Sequence, residues 1–296
     1  MKPTILKLAL VLGIFPALHF QLSTLHAATT INSANKFSYG ANLGWMDWRG
    51  DTASGAVIGD YVCSGYIYAA NVGWINLGGG SPTNGIRYLN LGASDFGVNH
   101  DGLGNLRGYA YGANIGWINF ENTGAAKVDL KTGKFTGYAY SANCGWISLS
   151  NAFAFVQTDT FFAGADTDGD GIADAWERQK FGNLLTASAS SNSDGDPATD
   201  LQEYLADTNP TDATSYLRIT AQAFAAGGTT ANLIWTSEPT RFYFLEKTLN
   251  LGGVPAWADS SLGRITPDGA TTTRGFADTN APGRFYRARA VRPLAP

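Results

Sequence analysis

Histidine and cysteine are nearly missing from this chain, with three and two among 296 residues. Two of the histidines, His19 and His26, lie in a leading segment expected to be removed, which leaves His100 alone. One imidazole and two cysteines are too few parts for Ser-His-Asp or Cys-His catalysis. Neither a glycine-rich phosphate cradle nor a zinc spacing is present. A carboxylate pair such as Asp101 with Glu121 would suit a glycosidase, but any acidic β protein offers such pairs. The expectation is a protein that is not an enzyme.

Positive charge is short as well. The chain carries 20 Lys+Arg against 24 Asp+Glu, a net of −4, and Lys2 and Lys7 sit in the leading segment. Without them 18 basic residues face 24 acids, a net of −6, and much of the acid gathers in residues 159–212. That balance argues against nucleic acid or an anionic membrane surface as partner and points to cations. No apolar run reaches the ~20 residues that a membrane-spanning helix needs.

Residues 1–27 read as a secretory signal peptide: a basic start at Lys2 and Lys7, a short apolar run at 8–15, and a cleavage site at Leu25-His26-Ala27. The mature protein is therefore expected to be secreted, periplasmic or at the cell surface. In an oxidising compartment the even cysteine count predicts a disulfide between Cys63 and Cys144. Such a bridge closes a loop of about 80 residues and would contribute roughly 4 kcal/mol.

What the chain does have is a phrase spoken four times. KFSYGANLGWMDW ends at Trp48, GYIYAANVGWINL at Leu77, GYAYGANIGWINF at Phe120 and GYAYSANCGWISL at Leu149. The intervals between Trp45, Trp74, Trp117 and Trp146 are 29, 43 and 29 residues, so two like pairs flank an insertion. Each phrase alternates in the period of a strand on either side of Ala-Asn-x-Gly, whose Asn and Gly tolerate the positive φ of a tight turn. A hairpin is predicted in each, and a further one with its turn at Lys131-Thr132-Gly133. A tryptophan fixed in every unit is expected to be a repeated core contact rather than a sugar-stacking surface.

The predicted fold class is all-β. Residues 28–158 form an aromatic-repeat antiparallel domain, 159–213 an acidic linker, and 214–296 a C-terminal β-sandwich with strands near Thr230–Trp235, Arg241–Glu246 and Gly283–Ala290.

The linker holds the sharpest local motif, DTDGDGIADAWE at residues 166–177. Asp166, Asp168, Asp170, Asp174 and Glu177 stand where an EF-hand loop places oxygen ligands, and Ile172 stands where it offers a backbone carbonyl. Calcium takes six to eight hard oxygens, alternate residues of a curled loop turn inward, and a terminal Glu binds through both oxygens. A second pass has Asn192, Asp194, Asp196, Asp200 and Glu203 on the same grid, but Pro197 replaces the loop glycine. Its fixed φ predicts a distorted loop, or one that shares ligands with the first. Asp207, Asn209 and Asp212 are spare oxygen donors, and each loop is expected to feed a short helix, at 174–181 and 200–206. The whole segment, with its LQEYLADTNPTD tail at residues 201–212, resembles thrombospondin type 3 and related calcium-repeat linkers of exported bacterial proteins. The resemblance implies calcium as a structural staple.

The stretch VNHDGLGNLRGYAYGANIGWINF, from Val98, resembles the secreted copper-binding proteins of methane-oxidising bacteria, over most of residues 36–158. That resemblance implies a surface copper site built from two histidines and an oxidised tryptophan. The counterparts here are Trp48 and His100, while Gly50 stands where the family's other histidine would be. Met46 would supply a thioether to reduced copper. Three readings compete at this point: an exported calcium-stapled metal-binding protein, a dedicated copper-acquisition protein, and a structural or adhesion module meeting cell-surface components.

Overall fold

The computed structural model describes residues 29–51, 53–252, 254–278 and 283–295; the signal-peptide reading lies outside them. Among the described residues the fold is all-β apart from two short helices and one 3₁₀ turn.

Each repeated phrase is a hairpin: Ile31–Gly40 with Gly44–Asp47, Cys63–Ala69 with Gly73–Gly79, Leu106–Gly112 with Gly116–Asn119, and Tyr138–Ser141 with Gly145–Ser148. The turns are alike because their chemistry is alike. A backbone bond of 3.0 to 3.3 Å spans the turn in each, and the following glycine takes φ of 73 to 82°. This is a type I turn closed by a left-handed glycine. Consecutive hairpins pair antiparallel at Met46↔Ala69, Ile75↔Gly112 and Ile118↔Ser141, and Gly40↔Ile147 closes the ring. Closure leaves no open edge among the eight strands.

Alternation along the strands sorts the side chains into an inner and an outer set. Inside, the repeats contribute layers: Leu43, Val72, Ile115 and Cys144 at the turn end, then Met46, Ile75, Ile118 and Ile147, then Ser38, Ile67, Ala110 and Ala139, then Trp48, Leu77, Phe120 and Leu149. The last two layers are complementary in size. Trp48 faces a small partner, Ser38, and donates its indole N–H to Ser38 Oγ at 2.9 Å. Ala110 likewise makes room for Phe120, as a close-packed interior requires.

The four tryptophans of the repeat face the other way. Trp45, Trp74, Trp117 and Trp146 are 46, 45, 44 and 47% exposed, which overturns the expected core contact. Each lies opposite a tyrosine of its own hairpin, Tyr39, Tyr68, Tyr111 or Tyr140, with ring centroids 4.9 Å apart in every case. These are cross-strand aromatic pairs on the outer wall.

The asparagines explain the rest of the phrase. Asn71 Nδ2 donates to Leu43 O, Asn114 to Val72 O, Asn143 to Ile115 O, each at 3.0 Å, and Asn42 to Cys144 O at 3.1 Å. Every turn therefore grips the one before it, and the fourth bond closes the circle. Asn114→Ala removes one link and leaves the Val72 carbonyl to solvent, an expected loss of about 1 kcal/mol in urea unfolding. A loss within error would show the ring to be incidental.

The predicted disulfide does not form, since Cys63 and Cys144 are both free thiols. Cys63 begins its strand at the base of the barrel, whereas Cys144 sits in a turn at the opposite end. A seven-residue strand separates those ends by roughly 20 Å, far beyond the ~7 Å between Cα atoms that a bridge tolerates.

The turn at residues 131–133 joins the strands Lys127–Val128 and Phe135–Thr136, and Phe135 packs its ring 5.2 Å from Trp48 under the barrel. Two helices follow, α1 (Asp174–Phe181) and α2 (Asp200–Ala206). Two three-stranded sheets then face each other: Ile219–Phe224, Thr230–Thr236 and Thr271–Ala277 on one side, Ala258–Asp259, Phe242–Thr248 and Phe285–Val291 on the other. Leu233, Trp235 and Phe276 meet Tyr243 and Leu245 between them, in a core separate from that of the barrel.

Candidate calcium centre and its surroundings

The first acidic loop curls through two left-handed glycines, Gly169 and Gly171. Asp166 Oδ1 accepts from Gly169 N at 2.8 Å, its Oδ2 from Gly171 N at 3.0 Å, and Asp170 Oδ1 from Ile172 N at 2.8 Å. Asp166 shapes the loop through both of its oxygens and Asp170 through one, which leaves Asp170 Oδ2 buried without a partner. Carboxylate oxygens of Asp166, Asp168 and Asp170 gather within 4.8 Å of one another. Glu177 lies beside them on α1, fully buried, and neither of its oxygens has a partner. Burial, with the charges of Asp168 and Asp170 next, pushes the Glu177 carboxyl up to about 7.

The second loop repeats two of these three bonds. Asn192 Oδ1 accepts from Gly195 N at 2.8 Å, and Asp196 Oδ1 accepts from Ala198 N at 2.6 Å. Oxygens of Asp194, Asp196 and Glu203 gather within 4.8 Å. Glu203 is fully buried with Oε2 unpaired, and burial again pushes its carboxyl up to about 7.

Pro197 does not distort this loop as expected. The bond it forgoes is the counterpart of Gly171 N to Asp166, and Asn192 Nδ2 braces the loop instead by donating to Asp196 O at 2.5 Å. Nor do the loops pool their ligands, because each gathers its own acids.

The ninth positions are spoken for. Asp174 accepts from Thr167 N and Oγ1 at 2.7 and 2.6 Å, and Asp200 accepts from Ser193 N and Oγ at 3.0 and 2.8 Å. They tie the loop to its helix. Ile172 buries its side chain against Trp176 and Tyr204, in the small core under both loops. The spare donors are also occupied: Asp207 bonds Thr240, Asn209 bonds Thr211, and Asp212 bonds Thr214.

A junction beside α2 joins all three parts of the chain, and its residues were not apparent from the sequence. Arg292 Nη1 donates to Asp60 Oδ2 at 2.9 Å and to the Tyr204 hydroxyl at 2.8 Å. Arg241 donates to Tyr204 O at 2.9 Å and Leu205 O at 2.8 Å. Tyr204 follows Glu203 directly, so the second loop and this clamp share one helix. Only the register of α2 links them, and no local motif announces a clamp assembled from residues 60, 204, 241 and 292.

The copper residues are committed elsewhere. Met46 and Trp48 lie inside the barrel, each 1% exposed. His100, also 1% exposed, lies tilted against Phe161 with ring centroids 4.9 Å apart, at the edge of a junction cavity of about 120 Å³. Its Nδ1 lies 3.1 Å from Gly59 O, and its Nε2 accepts from Gly104 N at 3.1 Å. A backbone N–H can only donate, so Nε2 carries the lone pair and Nδ1 the proton. No lone pair is left for a metal. A side chain at Gly50 would meet Tyr68 Cβ at 2.5 Å, so an imidazole there has no room. Neither half of the site implied by the copper resemblance has an exposed donor.

Burial lowers the His100 imidazole to about 4. A depressed pKa contributes stability above the unfolded value of 6.5 that is lost as pH falls toward 4. His100→Gln should flatten the stability profile between those limits, read as urea midpoints, whereas an unchanged slope would place the acid sensitivity elsewhere.

Comparison with protein-family models, with curated proteins and with solved structures finds no match.

Proposed function

We propose that this is an exported, non-catalytic metal-binding protein in which calcium, seated in two loops, staples the linker between two β domains. One observation carries the reading: each loop ends on a fully buried glutamate, with both carboxylate oxygens of Glu177 and Oε2 of Glu203 left unpaired beside a cluster of acids. An unpaired buried carboxylate costs several kcal/mol unless it is protonated or meets a cation. Donors are all oxygen, from carboxylates and an amide, which suits a hard cation and not copper or zinc. Asp166, Asp168, Asp170 and Glu177 would hold the first ion, and Asn192, Asp194, Asp196 and Glu203 the second.

Isothermal titration of the chelator-treated protein is expected to show two calcium sites that release protons on binding. The raised glutamates set the sign of the pH dependence. Below pH 7 calcium must displace protons from Glu177 and Glu203, so each site should weaken by about tenfold per pH unit between 7 and 5. Stoichiometry below two, or affinity that does not vary over that range, would refute the assignment.

A further inference from the structure

The outer wall of the barrel has a concave place that the metal reading does not use. We propose that the cleft beside Trp117 binds a neutral pyranose ring of a glycan. The cleft holds about 320 Å³ and is lined by Asn90, Leu91, Gly92, Phe96, Tyr109 and Trp117. That lies at the small end of ligand clefts, about 300 to 1,000 Å³.

Phe96 distinguishes this hairpin from its sisters. Its ring stands 5.1 Å from Trp117 at 83°, and Tyr109 stands 6.3 Å away at 78°. Trp45, Trp74 and Trp146 each have two aromatic neighbours from their own hairpin, but none has a third from a loop among the described residues. The insertion between the second and third hairpins thus adds a wall to one of four otherwise equivalent platforms.

The opposite lip is built to stay put. Asn90 holds φ of 56°, bonds Asp95 O through its backbone N–H at 3.0 Å, and accepts from Gly97 N at 3.0 Å. The Asp95 carboxylate is spent on Thr83 and Leu89. Leu91, on that lip, is 87% exposed beside an aromatic corner, so it contributes nothing to the core. A preformed cleft spares the ligand the cost of ordering it.

Charge selects the occupant. None of the six lining residues is ionised, so a charged ligand would lose hydration without a counter-charge. Hydrocarbon fits poorly as well. The aromatic belt is broken at the same level by Asn76, Asn119, Ser148 and the Lys36–Asp47 ion pair, which stand opposite Tyr111, Tyr140, Tyr39 and Tyr68. A lipid phase would strand those polar groups. A pyranose meets both conditions, since its flat C–H face suits an indole ring while its hydroxyls stay in water at the open mouth.

The test titrates the full calcium-loaded protein with neutral hexasaccharides (cello-, laminari-, malto- and mannohexaose), followed by tryptophan fluorescence and calorimetry. At least one should bind with Kd below about 10 mM. Trp117→Ala and Leu91→Glu should each weaken that binding by about tenfold or more, and Trp45→Ala should change it by less than about twofold. Leu91 lies in solvent, so its variant folds even if Trp117→Ala does not. No hexaose binding, equal weakening by Trp45→Ala and Trp117→Ala, or binding only to neutral phospholipid vesicles would each overturn the proposal.

Discussion

Chelation of calcium with EGTA is expected to lower the melting temperature of this protein by ~10 °C or more. Two ions bound at about a hundred times their Kd stabilise the folded state by roughly 5 kcal/mol together, and in a chain of this size each kcal/mol shifts melting by about 2–4 °C. The effect should reach beyond the loops, because α2 carries both Glu203 and the residues that Arg241 and Arg292 grip. Without the ion, the cost of the unpaired Glu203 oxygen is expected to lower the stability of α2 and, with it, of its contacts with both domains. Limited proteolysis should therefore cut within residues 159–217 in EGTA and be suppressed in calcium. Glu177→Gln gives an internal check on sign. The amide removes a buried charge beside Asp168 and Asp170, so at pH 8 the variant without calcium should melt higher than the parent without calcium. The same variant should lose most of the calcium response. An EGTA scan that overlays the calcium scan would end the staple reading, and the clamp reading fails if cleavage is equal in both.

The parts of the molecule legible in the sequence are those whose chemistry is local. Hairpins, turn glycines and both short helices follow from residues adjacent in the chain, and α1 and α2 begin and end where the loop spacing puts them. The clustering of Asp166, Asp168 and Asp170 is legible for the same reason, since alternate residues of a curled loop turn to one side. What escapes is whatever depends on closure. Alternation in Tyr109-Ala110-Tyr111 divides the strand into two faces but does not say which is inner, because both are apolar. Packing decides it: eight strands enclose a narrow space that Ile, Ala and Met fill, and four indoles at one level have no room there. The asparagine ring, the separation of Cys63 from Cys144, and the burial of His100 all follow from that closure. Pro197 marks the opposite limit, a strong local rule whose effect its surroundings offset. One lost backbone bond was replaced by an Asn192 amide, and the loop kept its shape.

The inversion of the tryptophans has a large measurable consequence. Trp48→Ala should destabilise the barrel by about 3–5 kcal/mol, whereas Trp45→Ala, three residues away, should cost about 1 kcal/mol or less. Trp48 is fully enclosed, meets Phe120 and Phe135 edge to face, and satisfies Ser38 through its indole N–H. Its removal leaves a cavity among rigid neighbours and orphans a buried hydroxyl, and both penalties add. Trp45 loses only its outer pairing with Phe37 and Tyr39, and its site opens to water that fills the gap. Trp48→Leu is the informative intermediate, because Leu77 and Leu149 occupy the equivalent place in the second and fourth hairpins. Its cost should fall between the other two, and restoring bulk with Ser38→Ile, the residue type at Ile67, should recover part of it. Such a recovery would mean that the four repeats exchange volume across one shared layer, so that each hairpin is sized to its neighbours and not to itself. A larger loss from Trp45→Ala than from Trp48→Ala would instead place the stabilising tryptophans on the outer wall.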